Sequence, residues 1–188
     1  MPKPGPLADL DRALSGAEAI VSGIKPDQWT APTPCAELDV RAIVNHLVTG
    51  NQTFAAWVTG TSPPARDADL LGSDPLAALR ESGDQLRTAF GAPGALDEIY
   101  KAPKRAVPGA ILAQIRILEQ LGHGWDLARA TGQPADFPED VAERALAVAR
   151  QNLASRPAGP DAPYGPELAA PDGAPVIDQL AAFLGRAV

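Results

Sequence analysis

Apolar residues recur along this chain at three- and four-residue steps rather than in alternation, which predicts helices separated by joints rich in proline and glycine. From about Leu7 to Gly23, Leu10, Leu14, Ala17, Ile20 and Val21 form one stripe, and the Lys25 to Pro34 stretch breaks it. A second helix is expected after Asp39, a good N-cap, with Val40, Ile43, Val44, Leu47, Phe54 and Val58 on one face. Gly60 and the Pro63-Pro64 pair close it. A third covers about Pro75 to Phe90, with proline at the favoured first turn and Leu76, Leu79, Leu86 and Phe90 as its stripe. Residues 91–107 have turn residues at both ends and room for a short strand around Ile99 and Tyr100. The fourth helix, about Pro108 to Thr131, points Ile111, Leu112, Ile115, Ile117, Leu118, Leu121, Trp125 and Leu127 almost all round, so it is expected to be buried and central. A fifth, about Glu139 to Leu153, is amphipathic, and a last short helix spans roughly Val176 to Leu184 after a Pro/Gly-rich loop.

These elements predict an all-α protein: an up-and-down four-helix bundle with one or two extra helices and long Pro/Gly-rich loops, residues 1–188 forming one domain. Composition agrees. The 188 residues are 45% apolar and 21% charged, and a chain of this size buries about 70% of its unfolded surface without help from a disulfide or structural metal. A metal, if held, then points to chemistry. The balance of 16 basic and 23 acidic side chains, net −7, leaves no basic footprint, so nucleic acid and anionic membrane are not expected partners. One cysteine, no apolar leader and no stretch of ~18 uncharged apolar residues give a cytoplasmic expectation.

The chain has two histidines, both on helices that periodicity places against the core. Glu119 and His123, four residues apart on the fourth helix, project from one side together with Asp126 and the apolar Leu112 and Ile115. A carboxylate at such a position needs a cationic partner, for which Arg116 is one candidate and a metal ion another. His46 sits at the edge of the second helix's stripe, beside Gly50 and Trp57, placed to reach across the bundle. Two histidines and one carboxylate suit zinc or another borderline divalent ion and leave coordination positions open. Spacing alone keeps a second reading alive, in which both histidines are packing residues and Glu119 makes an ordinary helix-surface pair. Cys35 lies just before the second helix, where a helix dipole favours a reactive thiolate, but a small structural residue is the stronger reading. Asp126 either orients His123 or pairs with Arg129. Trp29, Trp57 and Trp125 read first as core, and no phosphate loop, serine elbow or Cys-x-x-Cys pair is present.

Two strings carry a family resemblance. Trp29-Thr30-Ala31-Pro32-Thr33-Pro34-Cys35, followed by Asp39-Val40-Arg41, His46-Leu47-Val48 and Gly50-Asn51, resembles actinobacterial DinB-like proteins related to the N-terminal domain of mycothiol-dependent maleylpyruvate isomerase. Glu119 with His123-Gly124-Trp125-Asp126-Leu127-Ala128-Arg129-Ala130-Thr131-Gly132 is similar to the family's second fingerprint, and Tyr164-Gly165-Pro166 with Phe183-Leu184-Gly185-Arg186 to its ending. The resemblance implies a DinB-type bundle whose metal ligands fall on His46, Glu119 and His123. It further implies zinc, or sometimes nickel, and the addition or transfer of a low-molecular-weight thiol such as mycothiol or bacillithiol. Leu38 stands where the family commonly has tryptophan. The isomerase also has a second, C-terminal domain for which these residues leave no room, so an electrophile other than maleylpyruvate is expected.

Three functions follow as alternatives. The first is a metal-dependent thiol transferase, with a small-molecule electrophile held in a mouth lined by Trp57 and Trp125. The second is a hydrolase or isomerase that uses metal-activated water. The third is a non-catalytic metal- or ligand-binding bundle, in one form a homodimer that buries spare apolar surface.

Overall fold

This computed structural model describes residues 5–103, 105–152 and 164–188, and within them the chain is almost entirely helical. Helix α1 (Pro6–Ser22) starts with proline in its first turn and buries Leu10, Ala13, Leu14, Ala17, Ile20 and Val21. A single 3₁₀ turn at Pro26–Gln28 interrupts the joint that follows. Helix α2 (Val40–Thr59) begins at the expected cap, Asp39, whose side chain accepts from the Ala42 N–H at 2.8 Å, and ends at Gly60, left-handed at φ 73°. Helix α3 (Pro75–Gly91) is capped in the same way by Asp74.

Residues 91–107 are more ordered than periodicity suggested. The expected strand is there as β1 (Ile99–Ala102), but it pairs antiparallel with β2 (Arg105–Pro108), which has only four residues, ends in proline and offers no alternation to read. Immediately after it comes α4 (Gly109–Thr131), which matches the expected helix and carries sixteen buried residues distributed round its circumference. Helix α5 (Glu139–Asn152) and α6 (Val176–Phe183) complete the order; Leu153 and the first part of the loop before α6 lie outside the described residues.

Helix α4 organises the packing. Helices α1 and α2 each lie against α3 and α4, so the four close round one core, and α5 and α6 pack on each other and on α4. Gly16 of α1 and Gly124 of α4 both face the Phe137 ring, where an added Cβ would stand 2.5 Å or 2.4 Å from a ring carbon. The two bare positions let that ring wedge between helices. Not all of the interior is apolar: Asn51, Ser82, Arg116, Gln120, His123 and Asp126 are buried, and four of these six are on α4. That polar line is the part of the core with chemistry in it. Among the described residues, no helix is long and apolar enough to cross a membrane.

Candidate metal centre

Helix α2 holds His46 in its second turn, and the loop before it fixes the approach. Thr33 Oγ1 donates to the Leu38 carbonyl at 2.6 Å, Arg41 N donates to the Trp29 carbonyl at 2.9 Å, and Pro32 bridges to Asp39. Across the core, α4 projects Glu119 and His123 one turn apart. His46 Nε2 lies 3.1 Å from Glu119 Oε2, and His123 Nε2 lies 3.4 Å from that same oxygen. The imidazole centroids are 4.9 Å apart, edge to face, and one donor atom from each of the three residues falls within 4.8 Å of the other two. The sequence-nominated trio is therefore brought together, with His123 buried, Glu119 mostly so and His46 open to solvent.

Further side chains orient the trio. Asp126 Oδ2 lies 3.1 Å from His123 Nδ1, while Arg186 clamps the same carboxylate from Nε (3.2 Å) and Nη2 (2.8 Å). Tyr164 donates its hydroxyl to Glu119 Oε1 at 2.8 Å, leaving Oε2 to face the histidines. Tyr164 and Arg186 arrive on a chain reversal in which Gly165 and Gly185 touch backbone to backbone. At Gly185, whose φ is +89°, a Cβ would stand 2.7 Å from the Gly165 Cα. Both residues lie in strings similar to the family's ending, but no role for them is legible in sequence, because nothing in the local pattern shows that the two strings meet.

The electrostatics follow from this geometry. Burial pushes the Glu119 carboxyl up, but hydrogen bonds from His123 and His46, with the charges of His123 and Arg116, outweigh it and hold the group well below its ordinary value. For His123, burial pulls down and the two flanking carboxylates pull up more strongly, so the imidazole is raised. Asp126 is lowered: burial opposes its charge, but His123 and Arg186 overcome that. Tyr164 is pushed well above 10 by burial and by Glu119, so its hydroxyl stays a donor. With Nδ1–H committed to Asp126, His123 turns Nε2 toward a carboxylate oxygen that also faces His46. Three electron-pair donors converging in this way need protons or a cation between them. Their chemistry, two imidazole nitrogens and one oxygen with an open side, fits a borderline divalent ion.

Other expectations are corrected by the structure. Arg116 does not pair directly with Glu119; its Nη2 donates to Asn51 Oδ1 at 2.9 Å and the Leu47 carbonyl at 3.4 Å. Arg129 pairs with Asp178, so Asp126 takes the orienting role. Trp57 lines the mouth as expected, but Trp125 is core, 1% exposed, with its indole N–H donating to Asp178. Cys35 shows no dipole-activated thiol: burial and then Asp126 push it up. It does lie within reach of His123 and Asp126, as a second cluster that shares His123 with the first. In that cluster the carboxylate is already neutralised by Arg186, which makes it the poorer cation site.

A cleft of about 410 Å³ beside Tyr164 reaches Glu119 alone, and two others open onto more of the trio. One, of about 640 Å³, is lined by Trp57, Phe54, Arg66 and Arg116; the other, of about 570 Å³, by Cys35, His123, Tyr164 and Arg186. His46 and Glu119 belong to both, as do Leu38 and Arg66, so the trio sits where they meet.

Residues 10–128 match the family described as the mycothiol maleylpyruvate isomerase N-terminal domain, and the chain belongs to that family. Two uncharacterized proteins of Mycobacterium tuberculosis, from different strains, are each 36% identical to it over 184 residues, 97% of this chain and 98% of theirs. Among solved structures, a mutant of the mycothiol-dependent maleylpyruvate isomerase superposes with a TM-score of 0.60 at 16% identity, covering 82% of this chain and 72% of that one. At that identity the likeness shows a shared DinB-like helical fold.

Proposed function

We propose that His46, Glu119 and His123 hold a divalent cation, zinc in the first instance, and that the protein adds or transfers a low-molecular-weight thiol of the mycothiol type to an electrophilic small molecule. What carries this reading is the convergence of two imidazole nitrogens and one carboxylate oxygen within 4.8 Å, on helices that meet only through the fold. Membership of a family named for mycothiol-dependent isomerisation supports the choice of thiol. When bound, such an ion supplies Lewis acidity that lowers the pKa of a thiol brought to it.

The chain's own groups have separable tasks. Asp126 holds the His123 proton on Nδ1 and aims Nε2 into the site. Arg186 keeps Asp126 ionised, and Tyr164 fixes the rotation of the Glu119 carboxylate. Exposed His46 leaves the solvent side open for a thiol, while Trp57 and Phe54 offer an apolar wall to the electrophile and keep water from it.

Elemental analysis of the purified protein, followed by mass spectrometry after incubation with mycothiol and a panel of electrophiles, tests the proposal. It predicts about one equivalent of metal and a thiol adduct that is lost in His46→Ala. Metal-loaded protein that conjugates nothing overturns the thiol chemistry, and turnover without thiol replaces it with activation of water.

A further inference from the structure

Arg116 is a buried cation with unused donors. The residue is 2% exposed, its Nε has no hydrogen-bond partner, and its guanidinium lies 5.2 Å from the centroid of the Phe54 ring. Only Nη2 is engaged, by the neutral acceptors Asn51 Oδ1 and the Leu47 carbonyl. Nη1 lies over the bare Cα of Gly50, where a Cβ would stand 2.5 Å from it. Gly50 and Arg116 both line the 640 Å³ cleft beside the trio, and so does Arg66, an exposed guanidinium. Among the described residues neither arginine has a carboxylate within ion-pair distance. In a chain of net charge −7, that places two guanidinium groups in one cleft, with Arg116 feeling the Glu119 charge but making no ion pair to it. The one acidic residue lining this cleft, Glu119, is engaged by His46 and Tyr164.

We propose that this cleft binds the electrophile through a carboxylate group, paired with Arg116 inside and met by Arg66 at the exposed side, while Phe54 and Trp57 pack on the substrate's apolar part. A guanidinium presents parallel N–H donors to a carboxylate, and the pair is strongest where water is excluded. Gly50 belongs to the device, since any side chain there would fill the space against Nη1. Arg116 and Arg66 thus set the substrate class as organic carboxylates, an inference that rests on the thiol-adding reading of the neighbouring trio.

The test uses three probes of similar shape, benzoate, benzamide and phenylphosphate, titrated by calorimetry into the full-length protein with and without zinc. Arginine Nε–H resonances are followed by NMR in parallel. Benzoate is expected to bind about ten-fold or more tightly than benzamide without zinc present, and to shift one buried Nε–H signal that is missing in Arg116→Met. Arg66→Gln, at an exposed position, is expected to weaken benzoate several-fold and leave benzamide unchanged. Equal binding of benzoate and benzamide overturns the proposal, as does phenylphosphate binding in place of benzoate, or a preference that persists in folded Arg116→Met. Should Arg116→Met not fold, the wild-type comparison and Arg66→Gln still decide. Zinc binding measured on the same samples reports on the trio alone, which keeps the two failures apart.

Discussion

Asp126 touches no solvent and accepts from one imidazole and from two nitrogens of one guanidinium. In Asp126→Asn, metal affinity is expected to fall about 10–100-fold, because the His123 tautomer is no longer fixed. Folding stability should drop by about 3 kcal/mol or more, since Arg186 loses a buried counter-ion. Competition calorimetry and denaturant melts check the two separately. His123 supplies a pH signature. Its folded value is raised above 6.5, so in metal-free protein its contribution to stability is complete below about that pH and is lost as pH rises through the folded value. Ligation needs Nε2 without a proton, so the stabilisation by added zinc should grow over the same window. Melting temperatures with and without saturating zinc, from about pH 5.5 to 8.5, check both signs. At this scale His46, Glu119 and His123 were legible: two share a helix face and the third sits at the rim of another stripe. Tyr164 and Arg186 were not, because their arrival depends on two glycines meeting across the tertiary structure.

Among the elements, α4 does the most. Its all-round apolar pattern announced a buried helix, and its bounds match the expectation almost residue for residue. What the pattern hid was the polar line through its middle, where Arg116, Gln120, His123 and Asp126 are buried and held by partners on α2 and the C-terminal segment. The β1–β2 hairpin was half legible, since its second strand is short and irregular in composition. Close packing of α4 gives a direct test. Gly124→Ala would push a methyl into the Phe137 ring, and the expected cost is about 1–3 kcal/mol from overpacking, measured by chemical denaturation. Zinc affinity should change little, because the nearest atoms to the added methyl all belong to the Phe137 ring and none to the trio.

Across the whole molecule, charge ties the N-terminal helix to α5. Asp9, buried at 4% exposure, takes two hydrogen bonds from Arg144, which also reaches Asp140, and Arg12 clamps Asp140 from α1. Arg12 first and Arg144 second hold Asp140 well below the usual carboxylate range. A lowered carboxylate contributes stability above its unfolded value near 3.8 that is lost as pH falls through the folded one, so acid should loosen the α1–α5 tie. Asp140→Asn is expected to flatten that acid limb of a stability-versus-pH curve while leaving zinc binding alone. The larger of the two clefts at the trio gathers two guanidinium groups, Arg116 and Arg66, that have no carboxylate within ion-pair distance among the described residues, and an anionic substrate would be drawn there.

Coordination of the cation by His46, Glu119 and His123 is read most directly by X-ray absorption fine structure of zinc-loaded protein without added thiol. It predicts a first shell of nitrogen and oxygen scatterers at about 2.0–2.2 Å, with the multiple scattering of two imidazoles. A sulfur scatterer at about 2.3 Å, which would place Cys35 in the shell, or a shell of a single imidazole, contradicts it.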